Sequence, residues 1–414
     1  MHKADPSRGR GRSIGMVFKL LPALLFAGLV LTVSSPAHAY TWMIKHGYRS
    51  CLTCHADPAG GETLTGYGRL ISQGVLSTQW GSGENDGELS SFSKFMFGAI
   101  PLPDDLLLGG SLRGAYTLKD GDFRVFPMQI DVYGQLKIDP LIVGGSVGLA
   151  KVPAGSPHAR AAQVTSDQGD GYNLISRNFY VGAELMEQAL IVRAGRLNLP
   201  FGVRIPEHTN WIREQTRTDR ESDQQWGLSL AYTGENIRGE LMGIAGNYQI
   251  NPDEFRERGY SLYLEYFTSD RAAIGISSLI TTAKRDRLTL EPDVLRQAHG
   301  PYLRATLAEP LVLLAEADLL SYSDTELGYA GFAQLDYEPV QGLHLIGTGE
   351  IYDQGYPEDG GASGAVRSPG IGKPKYGGWA SVNWFFVTHF DARIDAIFRK
   401  DDPFTLLGQL HLYL

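Results

Sequence analysis

Cysteine is almost absent from this 414-residue chain: only Cys51 and Cys54 occur. A fold stapled by several disulfides is therefore excluded, and a zinc site with four protein thiolates cannot be assembled. Helical membrane spans are missing too, because each needs about 20 consecutive apolar residues and no such run follows residue 40. Basic charge is also scarce. Lys and Arg number 37 against 46 Asp and Glu, a net charge of -9, and an acidic balance argues against nucleic acid as a partner.

The one long apolar stretch, Leu20 to Leu31, lies close behind Lys3, Arg8, Arg10, Arg12 and Lys19 and shortly before Ala37-His38-Ala39. A basic lead-in, an apolar run and small residues at the cleavage positions read as an export signal, residues 1–39. Ser34, Ser35 and Pro36 cut the run too short for an anchor helix. Translation from Met16 would leave a more ordinary signal, and both starts stay open. Without the leader, whose five basic residues stand against Asp5, the charge becomes more acidic by four.

The two cysteines stand in Cys51-Leu52-Thr53-Cys54-His55. C-x-x-C-H soon after an export signal reads as attachment of one covalent haem c. Thiols three positions apart reach both vinyl groups of one macrocycle, and the adjoining His55 meets the iron as proximal ligand. A redox dithiol would be expected beside a thioredoxin-like βαβ pattern, which is not visible, and a plain disulfide does not call for His55. For the distal position His46 is the first candidate; Met43, His208 and Met128 are others, and a five-coordinate iron stays open. Gly60 and Gly61 permit a turn close to a macrocycle or simply a loop. The haem segment, residues 40–94, is too short to bury much core alone.

From residue 95 to 414 the chain falls into segments whose faces alternate with the period of two of a β-strand. In Phe390 to Arg399 the even positions are apolar, while Asp391, Arg393, Asp395 and Arg399 hold odd ones. Sixteen such segments are expected, near 105–118, 123–138, 141–152, 173–186, 189–203, 224–234, 236–247, 257–267, 271–285, 297–308, 311–323, 325–338, 342–353, 375–387, 389–399 and 403–414. Tight turns such as Asp139-Pro140 alternate with longer connections at 153–172, 204–223, 286–296 and 354–374. This asymmetry predicts an all-β fold, a transmembrane antiparallel β-barrel in the bacterial outer membrane, with short periplasmic turns and the haem segment as its plug. Asp131, Glu316, Asp336, Glu350 and Asp391 are expected to face a water-filled lumen. The loop Ile205 to Trp211 either is external or folds inward.

The order of export signal, haem motif and sixteen-strand barrel resembles the fused outer-membrane monohaem c-type cytochrome–porin family. Trp42 to His55, the Pro58-Ala59-Gly60-Gly61 turn and the layout of the whole mature chain carry the likeness. Arg193 to Gly202 is similar to a porin strand leading into an inward loop. The resemblance implies an electron carrier rather than an enzyme in the strict sense. Single electrons would pass across the outer membrane between an external donor or acceptor and a periplasmic redox carrier, with lipid around the barrel. The segment before Cys51 departs from iron-oxidising members, which usually carry Phe-Ala-Arg there, so ferrous iron is not the expected substrate. The alternative is a porin or channel whose haem segment is a redox-sensing or gating plug.

Overall fold

The computed structural model describes residues 41–80, 91–151, 172–207, 209–287, 290–323, 327–354 and 373–414. The export signal and His208 lie outside them.

Seventeen strands form a single antiparallel sheet that closes on itself: β1 (Leu106–Lys119), β2 (Asp122–Ile138), β3 (Leu141–Lys151), β4 (Tyr172–Ile175), β5 (Phe179–Leu185), β6 (Leu190–Leu197), β7 (Gln225–Thr233), β8 (Ile237–Gly246), β9 (Arg258–Ser269), β10 (Ala272–Arg285), β11 (Pro292–Ala308), β12 (Leu311–Tyr322), β13 (Gly328–Val340), β14 (Leu343–Asp353), β15 (Lys375–Val387), β16 (Phe390–Arg399) and β17 (Thr405–Tyr413). Both β4 and β5 pair with β3, so they are two halves of one stave interrupted at 176–178, and the barrel has sixteen staves. Closure comes from β17 against β1, in the register Ser111 to Tyr413 through Lys119 to Thr405.

Alternation explains which way each side chain points. In β16, Asp391, Arg393 and Asp395 are buried while Ile394 and Phe398 are exposed. Val125, Val132, Ile138, Val181, Ile276 and Leu410 stand outward in the same way. A closed wall with apolar side chains outside has no unpaired edge and meets hydrocarbon without orphaned backbone groups.

The inside is packed, and the expectation of a water-filled lumen is corrected accordingly. Asp131, Glu316, Asp336, Glu350 and Asp391 do face inward but are buried. They meet Arg177, Arg213, His344 (3.0 Å), Arg399 (2.7 Å) and His411 (2.9 Å) respectively. Two pieces of chain fill the space. Residues 41–80 sit at the tight-turn end, where Arg49 meets Asp270 and Lys45 meets Glu338. The connection from Asn198 to Gln224, of which 204–223 is expected among the longer loops with an inward fold open for Ile205 to Trp211, takes the inward path. Its helix α1 (Trp211–Thr216) is capped by Asn210, whose side chain accepts from the Ile212 N–H. The Trp211 N–H donates to Glu350 at 2.9 Å and Gln215 accepts from Tyr322, which binds the helix to the wall.

Candidate functional site

The N-terminal segment opens with a turn of 3₁₀ helix, Thr41–His46, whose Trp42 ring lies 4.2 Å from that of His344 and 6.2 Å from that of Phe385. The Cys51–His55 motif follows as one helical turn: the N–H groups of Cys54 and His55 both donate to the Cys51 carbonyl, at 3.2 and 2.9 Å. The two cysteines stand three positions apart on this turn, and only Cys54 lines the cavity described below. Neither cysteine is in a disulfide, and both are buried.

The stretch after the motif folds back over it. His55 pairs with Leu64 in an isolated antiparallel bridge, and the Ala56 N–H donates to the Thr63 carbonyl at 2.9 Å. Gly60 and Gly61 form the reversal with φ of 81° and 86°, conformations that a side chain makes costly. Helix α2 (Gly66–Ile71) is capped by Thr65, whose hydroxyl accepts from the Gly68 N–H at 3.0 Å. Gly68 lies against the motif itself, since a Cβ there would come within 2.8 Å of Cys54 Cα.

Cys54 and His55 line a cavity of about 150 Å³ that opens to a wider mouth. Its apolar walls include Met43, Leu64, Ile71, Leu76, Ile205 and Tyr413, and its polar ones include Arg113, Arg204, Arg220 and His411. Among the described residues His55 Nδ1 is buried without a hydrogen-bond partner. Burial, reinforced by the positive charge of Arg220, lowers the His55 pKa to about 4, so the ring is neutral, the form that binds metals.

Of the residues the sequence singled out, Cys54 and His55 reach the cavity together. Cys51 is on the same turn with its Sγ 3.4 Å from Arg238 Nη1. His46 is not brought there: it lies beside Glu338 and Tyr48 and is not among the lining residues. Met43 lines the cavity, while Met128 lines a separate, smaller one. Sequence reasoning missed Arg113, Arg204, Arg220 and His411. The parity of β17 was a usable signal for His411, because it shares the inward face with Gln409. His411 Nδ1 is 2.9 Å from Asp391 and Nε2 is 3.2 Å from Ser111 Oγ.

The barrel is similar to solved outer-membrane porins. OmpT of Vibrio cholerae matches at a TM-score of 0.53 and 12% identity, over 76% of this chain and 100% of its own. OmpF of Salmonella typhi, solved with daunomycin, matches at 0.51 and 12% identity, over 75% and 97%. At this identity the likeness concerns the fold: the chain is a porin-like β-barrel. No family model and no curated protein matches the chain.

Proposed function

We propose that this chain is an outer-membrane cytochrome–porin that carries single electrons through one covalent haem c held in the lumen. A single observation carries the reading: the Cys51–His55 turn presents Cys54 and a neutral, buried His55 to one cavity inside a lipid-facing barrel.

The residues fit the group. Cys51 and Cys54 would hold the group through thioethers, and His55 would bind its iron. His411 lines the same cavity and would be a second histidine able to hold the group, its Nδ1 kept by Asp391 as carboxylates commonly do for metal-binding histidines. When bound, haem supplies a one-electron couple. The chain's part is to fix it, to tune it by axial ligand and burial, and to fill the rest of the lumen with buried ion pairs.

The apolar band of such a barrel is about 25 Å tall, more than one macrocycle bridges alone. A periplasmic carrier on the tight-turn side and a donor or acceptor outside are therefore part of the proposal. The alternative, a channel gated by its haem segment, draws on the porin-like wall, but the packed lumen weighs against it.

The test is a haem stain of the mature protein after denaturation, followed by Cys54→Ala in cells and in bilayers. Covalent haem, with electron uptake lost in the variant, supports the reading. Absence of stain from the mature protein sinks it, and so does loss of solute uptake with redox growth intact.

A further inference from the structure

Among the described residues, arginines inside this barrel such as Arg193, Arg217, Arg296 and Arg304 meet carboxylates. The three that line the cavity, like the buried Arg69, do not. Arg113, Arg204 and Arg220 have no carboxylate in ion-pair contact among the described residues, although a guanidinium away from bulk water is costly to leave unmatched. Two acidic side chains share the cavity wall: Glu62 accepts from Asn178 and Glu221 meets Arg177, and the charges of both also favour the charged form of Arg220 without an ion-pair contact to it.

Arg204 and Arg220 both belong to the inward connection. The Arg204 guanidinium reaches a single backbone carbonyl, that of Leu199, while its own carbonyl accepts from Thr41. Arg220 lies over the turn that follows His55, so closely that any side chain at Gly61 would collide with its guanidinium. Arg113 stands further round the wall, shared between the two cavities. An arginine fork matches a carboxylate with two parallel hydrogen bonds, and haem carries two propionate carboxylates.

We propose that Arg204 and Arg220 form an anion clamp for the haem propionates, delivered into the barrel by the inward connection. The inference rests on the haem reading above. The clamp would add guanidinium contacts from the inward connection to the thioethers and histidines that hold the group in the reading above.

The test uses the full-length, haem-loaded protein and its Arg204→Gln and Arg220→Gln variants. Resonance Raman spectroscopy reads the propionate bending band, and potentiometry reads the midpoint potential. The expected result is unchanged haem stain, a shifted propionate band in each variant and a lower potential. A band and potential unmoved in both variants overturn the clamp. Inorganic phosphate separates a free-anion site from the propionates: binding to the haem-loaded wild type that the variants lose also overturns it. Should the glutamine variants fail to give a heat-modifiable barrel, Arg204→Lys and Arg220→Lys keep the charge but lose the fork. The band must then still move, and an unmoved band counts against the clamp. A wild type without haem stain sinks the electron-carrier reading itself, whereas haem present with an unmoved band sinks only the clamp.

Discussion

Asp57 and Arg193 are joined inside the barrel by a hydrogen bond of 3.0 Å, Arg193 Nη1 donating to Asp57 Oδ2. Asp57 lies two residues beyond the Cys51–His55 motif and Arg193 is on β6, so this contact ties the turn after His55 to the wall. Arg193 also meets Glu240 on β8 at 2.7 Å. Removing one partner of a buried ion pair costs about 3–5 kcal/mol, and the remaining Glu240 places Asp57→Asn near the lower end. We expect this variant to keep a fully assembled barrel, visible as heat-modifiable mobility on a gel, while residues 41–80 lose hydrogen-exchange protection. Unchanged protection contradicts the anchoring role.

Gly68 offers a second check on the same segment. An alanine there meets the carbonyl oxygen and Cα of Cys54, which are backbone atoms and cannot swing aside. Overpacking of this kind costs about 1–3 kcal/mol. Gly68→Ala should therefore lower the yield of covalent haem, whereas Gly66→Ala, with open space around it, should not. Equal haem yields in the two variants would show that α2 is not seated on the motif.

Much of the wall was legible because lipid and lumen impose opposite demands on neighbouring residues. Asp391, Arg393 and Asp395 announced β16 and its inward face, and the structure keeps both. The end of β6 was less legible. Leu197, Leu199, Phe201 and Val203 continue a period of two and imitate a strand running to residue 203, but β6 stops at Leu197. Those side chains instead pack into one cluster with Trp42, Met43, Ile44 and Cys54. Gly202, with φ of 60°, helps the chain turn inward there. The break between β4 and β5 had no local signal either, since Arg177 leaves the wall to reach Asp131 on β2. Within the site, the motif identified Cys51, Cys54 and His55 as candidates by spacing alone. The arginines of the inward connection could not be found that way, because their role depends on a partner distant in sequence.

The packed lumen predicts electrical behaviour. Glu350 meets Arg399 at 2.7 Å, accepts from Trp379 Nε1 at 2.9 Å and also holds α1 in place. With comparable contacts at Glu316 and Arg217, single-channel conductance in planar bilayers should fall far below that of an open sixteen-stave barrel. Glu350→Ala should raise it by loosening α1. A large ohmic conductance from the unaltered protein contradicts the packed interior and favours the channel reading.

Glu62 makes the docking of residues 41–80 depend on pH. Burial, aided by the nearby charge of Asp57, raises its pKa from 4.5 to about 7. An acid whose pKa is higher in the docked state holds its proton more tightly there, so docking falls as protons are withdrawn. The contribution is greatest below 4.5, declines as pH climbs toward about 7 and is level above that. Hydrogen-exchange protection of the segment, followed through this window, should decline in the wild type and stay flat in Glu62→Gln. A decline that persists in the variant assigns the effect to another group.

The axial assignment separates two side chains that line the cavity with iron-binding atoms, Met43 and His411. Asp391 accepts from His411 Nδ1 at 2.9 Å, and Nε2 accepts from Ser111 Oγ at 3.2 Å, a contact that an iron would displace. Met43 is surrounded by the apolar cluster of Trp42, Ile44 and Cys54 and packs well without any metal. We therefore expect the ferric protein to be low-spin with two histidine ligands. His411→Ala should convert it to high-spin, and Met43→Leu should leave the spectrum unchanged. Asp391→Asn should raise the midpoint potential, because a weaker second-shell acceptor makes the imidazole less basic and favours the reduced iron. A far-red sulfur-to-iron charge-transfer band that disappears in Met43→Leu would transfer the assignment to the methionine. It would also imply a higher potential than two histidines give.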